Sequence, residues 1–246
     1  PEAVERLRRE VSAARRITHP NVIRIHDIAE ANRLSYVSME YFEGVNLKEF
    51  MRQRHPLSMA LIWQIASQLC DGLEAAHQQG VIHRDLKPQN IIMNRTNQLK
   101  IIDFGLARSK HVEGMTATGL IMGTPEYMAP EQVAGKNVDE RGDIYSFGVI
   151  LYELLTGRVP FSGESAISIG FKQLKDSPPM PRSLNPRISE EMERLICKAL
   201  EKKPEDRFTS CAELKMELNK AVGMQQTDSA VSEERAASSH IETARS

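Results

Sequence analysis

The sequence predicts an α+β protein in two unequal parts: a short opening of one helix and two strands, then a mostly helical body. Three observations carry this. Two β-rich runs, VIRIHDI and LSYVSME, stand close together near the start. Past Ser58 the apolar residues recur at helical spacing. The run GDIYSFGVILYELLTG is apolar on nearly every side, as a helix is when protein surrounds it.

Residues 1–18 read as a helix rich in Arg and Glu, ended by the turn pair His19 and Pro20. The two β runs follow, joined by a polar turn at Glu30 to Arg33. From Ser58 to Gln79, Ile62, Ile65, Leu69, Leu73 and Ala76 fall on one helical face, with Ser58 as N-cap and Gly80 just past the end. Short strands near 91–93 and 99–102 flank the turn NRTNQ and should pair as a hairpin. The all-round apolar helix is expected at the centre of the core. Helices over 164–175, 189–201 and 210–221 follow, the last opening on a capping box of Ser210 and Glu213. The proline-rich SPPMPRSLNP reads as a loop. From about residue 224 the chain has few apolar residues and no aromatic one, the composition of a disordered tail or linker.

Composition narrows the function classes. With 246 residues, 41% hydrophobic and 26% charged, the chain is an ordinary globular one. A formal net charge of -1 gives no electrostatic reason to expect nucleic acid or an anionic membrane as partner. The longest apolar stretch, FGVILYELL, is too short to span a bilayer and contains Glu153. Cys70, Cys197 and Cys211 lie far apart and form no C-x-x-C, which speaks for reduced thiols in a cytosolic setting. No signal peptide is evident. The chain opens on Pro1 inside an expected helix, so it reads as a piece of something longer.

The chemistry begins at VIHRDLKPQNIIM, where an acid, a base and an amide lie between two apolar runs. His83, Arg84, Asp85, Leu86 and Asn90 match the pattern H-R-D-L-x-x-x-N. KIIDFGLA then supplies D-F-G as Asp103, Phe104 and Gly105, and GTPEYMAPE supplies A-P-E at Ala129, Pro130 and Glu131. Each motif alone is weak. In this order, with a hairpin between the first two, they are not a chance set.

On these residues the sequence resembles the eukaryotic-like (Hanks-type) serine/threonine protein kinases in their bacterial style, from residue 1 to about 220. The resemblance implies a protein-kinase-like fold: residues 1–42 the remainder of the small lobe and hinge, 43–221 the large lobe, and 222–246 a tail. It also implies ATP and Mg²⁺ as cofactors and Ser/Thr-containing proteins as substrates. Lys87 looks like the serine/threonine subclass.

Phosphoryl transfer needs an aligned hydroxyl and neutralised phosphates more than covalent help. Asp85 would take or orient the hydroxyl proton, and Lys87 would place a positive charge on the γ-phosphate. Asn90 and Asp103 would offer oxygens to Mg²⁺, a hard cation. By resemblance, Met39 stands at the gatekeeper place, Glu40 to Phe42 form a hinge whose backbone binds adenine, and Ile92 packs under the adenine. His83 is structural, packing on Phe104. Glu131 and Arg207 look like a buried ion pair, and Asp143 like the acid that bonds the catalytic-loop backbone. Arg84 marks kinases switched on by phosphorylation of the segment from Asp103 to Glu131. There Thr116 and Thr118 are the candidate phosphorylation sites, reached through a dimer in autophosphorylation. Thr124 is expected to hydrogen-bond Asp85 and Lys87.

The pattern also breaks. None of the 14 glycines stand two apart, so no G-x-G exists, and the first lysine is Lys48. Glu10 stands where the family's helix glutamate belongs, without its lysine. Arg6, Arg8, Arg9, Arg15 and Arg16 read as a solvated helix face. The chain is therefore either a fragment of an active kinase, poorly active by itself, or a degenerate kinase serving as scaffold or binding module. The retained Asp85, Asn90 and Asp103 favour the fragment, from a cytoplasmic domain whose parent could be anchored beyond the tail. A small-molecule phosphotransferase is disfavoured by the A-P-E segment and Arg207.

Overall fold

The computed structural model describes residues 11–31, 34–54, 56–104 and 124–222. Its first element, α1, is helical over residues 11–14 and buries Val11 and Ala14, while Arg15 and Arg16 are exposed. Residues 15–18 leave the helix earlier than the expected boundary. Arg6, Arg8, Arg9 and Glu10 lie outside the described residues.

Strands β1 (Ile25–Ala31) and β2 (Leu34–Met39) pair antiparallel, with Ile28 opposite Val37. The hairpin is shifted from its expected register. Glu30 and Ala31 are strand rather than turn, and Val22 and Ile23 are not part of it. Instead the Ile23 N–H donates to the Ile101 carbonyl at 2.9 Å, and Val22 bridges Ile101 in parallel. Both side chains are buried, so the run VIRIHDI divides between two sheets.

The chain then enters β3 (Val45–Asn46) and α2 (Leu47–Arg54), two elements that the periodicity did not announce. A Cβ at Gly44 would fall 2.3 Å from the Met93 carbonyl oxygen, so glycine lets β3 approach β4 (Ile91–Met93). With β5 (Leu99–Ile101) these form a sheet of order β3-β4-β5. Leu47, Phe50 and Met51 supply the buried face of α2, a stripe short enough to pass unnoticed.

Helix α3 (Met59–His77) starts as expected, the Ser58 hydroxyl accepting from the Leu61 N–H at 3.3 Å. Gly80 closes it with φ 70°, a backbone conformation that a Cβ disfavours. Short α4 (Pro130–Val133) precedes α5 (Glu140–Thr156), buried at every position from Gly142 to Leu155. Helix α5 is the centre of the core, in contact with α3 and α8 (Glu190–Ala199). Between them lie α6 (Ala166–Lys175) and α7 (Pro181–Leu184). The proline-rich stretch is thus no simple loop: Pro181 stands in the first turn of α7, where a missing N–H costs nothing.

The last helix, α9, covers residues 211–222. Its capping box is half formed. The Ser210 hydroxyl accepts from the Glu213 N–H, but the Glu213 carboxylate reaches past Ser210 to the N–H and hydroxyl of Thr209, each at 2.7 Å. Among the described residues no helix is long and apolar enough to cross a membrane. All three cysteines are free, and burial pushes the Cys70 and Cys211 thiols up.

Candidate active site

The loop Val81–Asn90 runs from the end of α3 into β4 and is held from below by one carboxylate. Asp143, on the first turn of α5 and 0% exposed, accepts from the N–H groups of His83 (2.8 Å) and Arg84 (2.9 Å) and bonds His77 Nε2 (2.8 Å). Burial acts to raise its pKa. His77 by hydrogen bond and charge, together with the backbone N–H of His83, outweighs burial and holds the carboxyl below the ordinary carboxylate range.

His83 then ties the two loops together. Its Nδ1 accepts from the Asp85 N–H at 3.2 Å, which leaves the proton on Nε2 to donate to the Ile102 carbonyl at 2.9 Å. Its ring lies 4.8 Å from that of Phe104, centroid to centroid. The Ile102 N–H donates to the Asn90 carbonyl at 2.9 Å, so Asp103 follows immediately on a residue bonded to both His83 and Asn90. Arg84 and Asp103 both adopt positive φ, 64° and 62°. Non-glycine residues accept that conformation where the surroundings over-determine it, which is common at functional sites.

Above this base sit the polar side chains. Lys87 Nζ donates to Asp85 Oδ2 at 2.7 Å, and Asn90 Nδ2 donates to the Asp85 carbonyl (2.9 Å) and to Oδ2 (3.2 Å). The Asp85 side chain keeps 28% of its surface exposed, enough to meet a ligand. Both Asn90 N–H bonds go to Asp85, so its Oδ1 is left as the acceptor. That oxygen and the Asp103 carboxylate form a hard-oxygen donor set suited to Mg²⁺.

Glu131 and Arg207 form a bidentate pair at 2.7 and 2.8 Å, both buried. The remaining Arg207 N–H groups go to the carbonyls of Arg141, Glu201 and Lys202, so every donor of the fork is used. Met39 ends β2 partly exposed. The Glu40 N–H is already given to the Arg24 carbonyl at 2.9 Å, whereas Tyr41 and Phe42 make no backbone hydrogen bond among the described residues. Adenine contacts through this segment would therefore use the Glu40 carbonyl and the backbone of the next two residues. Ile92 lies on β4 opposite Asn46 and Lys100.

Thr124 departs from expectation: its hydroxyl makes no hydrogen bond to Asp85 or Lys87 among the described residues, and its carbonyl accepts from the Tyr127 N–H at 3.3 Å. Lys87 and Asn90 already engage the Asp85 carboxylate. Glu10, Gly105, Thr116 and Thr118 lie outside the described residues.

Four contributors escaped the sequence. Gln132 Nε2 donates to the Arg84 carbonyl at 2.6 Å, tying α4 to the loop. His77 supports Asp143, and its place at the end of α3, just before the HRD run, was the available signal. Lys48 and the Tyr127 hydroxyl both engage the buried Glu153, joining α2, the 3-10 turn at Pro125–Tyr127 and α5. Nothing in the spacing of those three residues points to one another.

A family model described as the protein kinase domain matches residues 1–218. The chain is 37% identical over 224 residues to the serine/threonine-protein kinase PknB of Mycobacterium tuberculosis, covering 89% of this chain and 36% of that protein. It is 36% identical over 220 residues to PrkC of Bacillus subtilis, with 89% and 34% covered. It is 42% identical over 226 residues to pkn3 of Myxococcus xanthus, with 87% and 41% covered. The chain thus spans little more than a third of the length of these curated relatives. Among solved structures, that of Rad53 1-466 in complex with AMP-PNP superposes with a TM-score of 0.73 at 27% identity, over 86% of this chain and 53% of that one.

Proposed function

The chain belongs to the protein kinase family, and from that premise we propose that the protein carrying it transfers the γ-phosphate of ATP to serine and threonine hydroxyls of protein substrates. The observation that supports this best is the Asp85 carboxylate, partly open to solvent and fixed by Lys87 and Asn90, with Ile102, the residue before Asp103, bonded to His83 and Asn90. The kinase names of the relatives agree with it.

The substrate hydroxyl is oriented by Asp85, which takes its proton as the oxygen forms a bond to the γ-phosphorus and the bond to the ADP oxygen breaks. Lys87, held 2.7 Å from Asp85, places its charge where the transferring phosphoryl carries negative charge. Asn90 Oδ1 and the Asp103 carboxylate would hold Mg²⁺, which when bound neutralises the phosphate charge. The rigid base of His83 and Asp143 keeps these groups in register, and the segment Glu40 to Phe42 receives the adenine. Residues 1–42 and 43–221 serve as small and large lobes. Thr116 and Thr118 are phosphorylated to activate the enzyme, and Arg84 receives the phosphate.

The test is transfer of labelled γ-phosphate to a Ser/Thr protein substrate by the protein that carries this chain, with Asp85→Asn beside it. The reading requires transfer by the first and its loss in the second, with nucleotide binding retained. Transfer that survives Asp85→Asn at the wild-type rate, or goes to a small-molecule acceptor alone, refutes it.

A further inference from the structure

Behind the segment that begins at Glu40, a cavity of about 260 Å³ opens between residues 17–24 and β5. None of its lining residues belongs to the loop Val81–Asn90 or to the Asp103 turn. Its apolar lining comes from Ile17, Pro20 and Val22. Its polar groups are mostly cationic or hydrogen-bond donors.

Lys100 lines one side, paired with Glu40 at 2.5 Å and donating to the Val22 carbonyl at 3.3 Å. Glu40 is the cavity's one carboxylate, and it is doubly spent, since Oε1 also accepts from the Arg24 N–H at 3.1 Å. Arg24 is different. It is exposed, its guanidinium bonds the Thr18 hydroxyl, and it has no carboxylate partner among the described residues. Most of its five N–H donors remain available in a planar fork that matches a carboxylate. His19 adds to this. Its Nδ1 accepts from the Asn21 N–H at 3.2 Å, so Nε2 carries the proton, a donor without an acceptor among the described residues. Burial, with the charges of Lys100 and Lys215 adding to it against the opposing charge of Asp71, holds that imidazole below its ordinary pKa.

Two cations against one satisfied carboxylate leave a local excess of one positive charge, on a chain whose overall charge is -1. Apolar lining residues beside a guanidinium without a carboxylate partner among the described residues ask for an anion carried next to a short apolar group. The volume chooses the source: about 260 Å³ falls below the roughly 300–1,000 Å³ of small-molecule sites, room for a side chain or two rather than a whole metabolite.

We propose that this cavity is a docking site for an acidic peptide segment of a partner protein, its Glu or Asp carboxylate received by Arg24 and His19 and an adjoining aliphatic side chain by Ile17, Pro20 and Val22. The site stands independently of the phosphotransfer reading. Only its further consequence, that a partner bound here acts on the adenine segment through the Glu40 bonds, depends on that reading.

The experiment is fluorescence anisotropy of a short fluorescein-labelled peptide alternating Glu and Val, titrated with the protein without nucleotide. A second peptide carries Lys in place of Glu. Saturable binding of the acidic peptide alone is expected, weakened roughly tenfold or more by Arg24→Glu, because like charges are then opposed. Arg158→Glu, an equal charge change at an exposed position after α5, should leave binding as it was. Equal losses in the two variants would mean diffuse charge attraction and overturn the site, as would wild-type binding by Arg24→Glu. Sodium phosphate at millimolar concentration should not displace the peptide; full displacement would make a free anion the occupant and refute the peptide. If Arg24→Glu lowers the melting midpoint, Arg24→Gln replaces it, and the same loss of binding is required.

Discussion

Asp85 and Asp143 serve opposite faces of one loop. Asp143, fully buried, spends its oxygens on two backbone N–H groups and His77; Asp85, 28% exposed, is bonded by side chains that a ligand could also use. A buried carboxylate of this kind is structural, because removing it strands donors in a dry interior. An exposed one is adjustable, because water replaces whatever leaves. The same contrast separates the Glu131–Arg207 pair, buried with every Arg donor filled, from the Lys87–Asp85 pair at the open site. The difference predicts that substitutions on the buried side cost stability and those on the open side cost chemistry.

The largest expected effect is on rate. Asp85→Asn should lower phosphate transfer by roughly 10²- to 10⁴-fold, the range of a positioned acid or base, while thermal unfolding moves little. A large fall in melting midpoint would dissolve the contrast. Arg207→Ala comes next, at about 3–5 kcal/mol of stability, since Glu131 is then a buried charge without its partner. Urea unfolding measures it, and a change typical of a surface pair would mean that water reaches Glu131.

Asp143→Ala should cost about 2–3 kcal/mol, because the N–H groups of His83 and Arg84 lose their acceptor. Its titration gives a sharper test. The folded pKa lies below the unfolded one, so the unfolded chain takes up the proton first. The carboxylate's stabilisation is then complete above the unfolded value and is lost as pH falls through the folded value. Melting midpoints followed downward from pH 6 should therefore show an acid limb below about pH 4, shallower in Asp143→Asn. An unchanged limb in that variant assigns it to other carboxylates. The smallest effect belongs to a part remote from the loop: Ser58→Ala should cost about 1 kcal/mol through the lost N-cap of α3. A cost matching that of Arg207→Ala would show that local capping and buried pairing are not the separate scales assumed.

Much of this was legible along the chain. Helix α3 was readable from Ile62, Ile65, Leu69, Leu73 and Ala76, α5 from its all-round apolar run, and the β4–β5 hairpin from two apolar runs about one turn. The motif spacing led to the expectation that Asp85, Asn90 and Asp103 meet, because a two-strand hairpin must return its end beside its beginning, and the hairpin itself is present. These features are local: period, cap and turn involve residues a few positions apart, so their physics is written in adjacent letters.

Partners at long range are not. Val22 and Ile23 look like the start of their own strand, yet they pair with Ile101. β3 is two residues that become a strand only because β4 offers an edge and Gly44 permits the approach. Glu153, a charge inside an apolar helix, gave no hint of Lys48 and Tyr127, nor Glu40 of Lys100. Each of these pairings is selected by burial: a polar group removed from water must find a partner among whatever the packing brings near. Packing is decided by the whole chain at once, so the choice between equally plausible partners belongs to the tertiary structure alone.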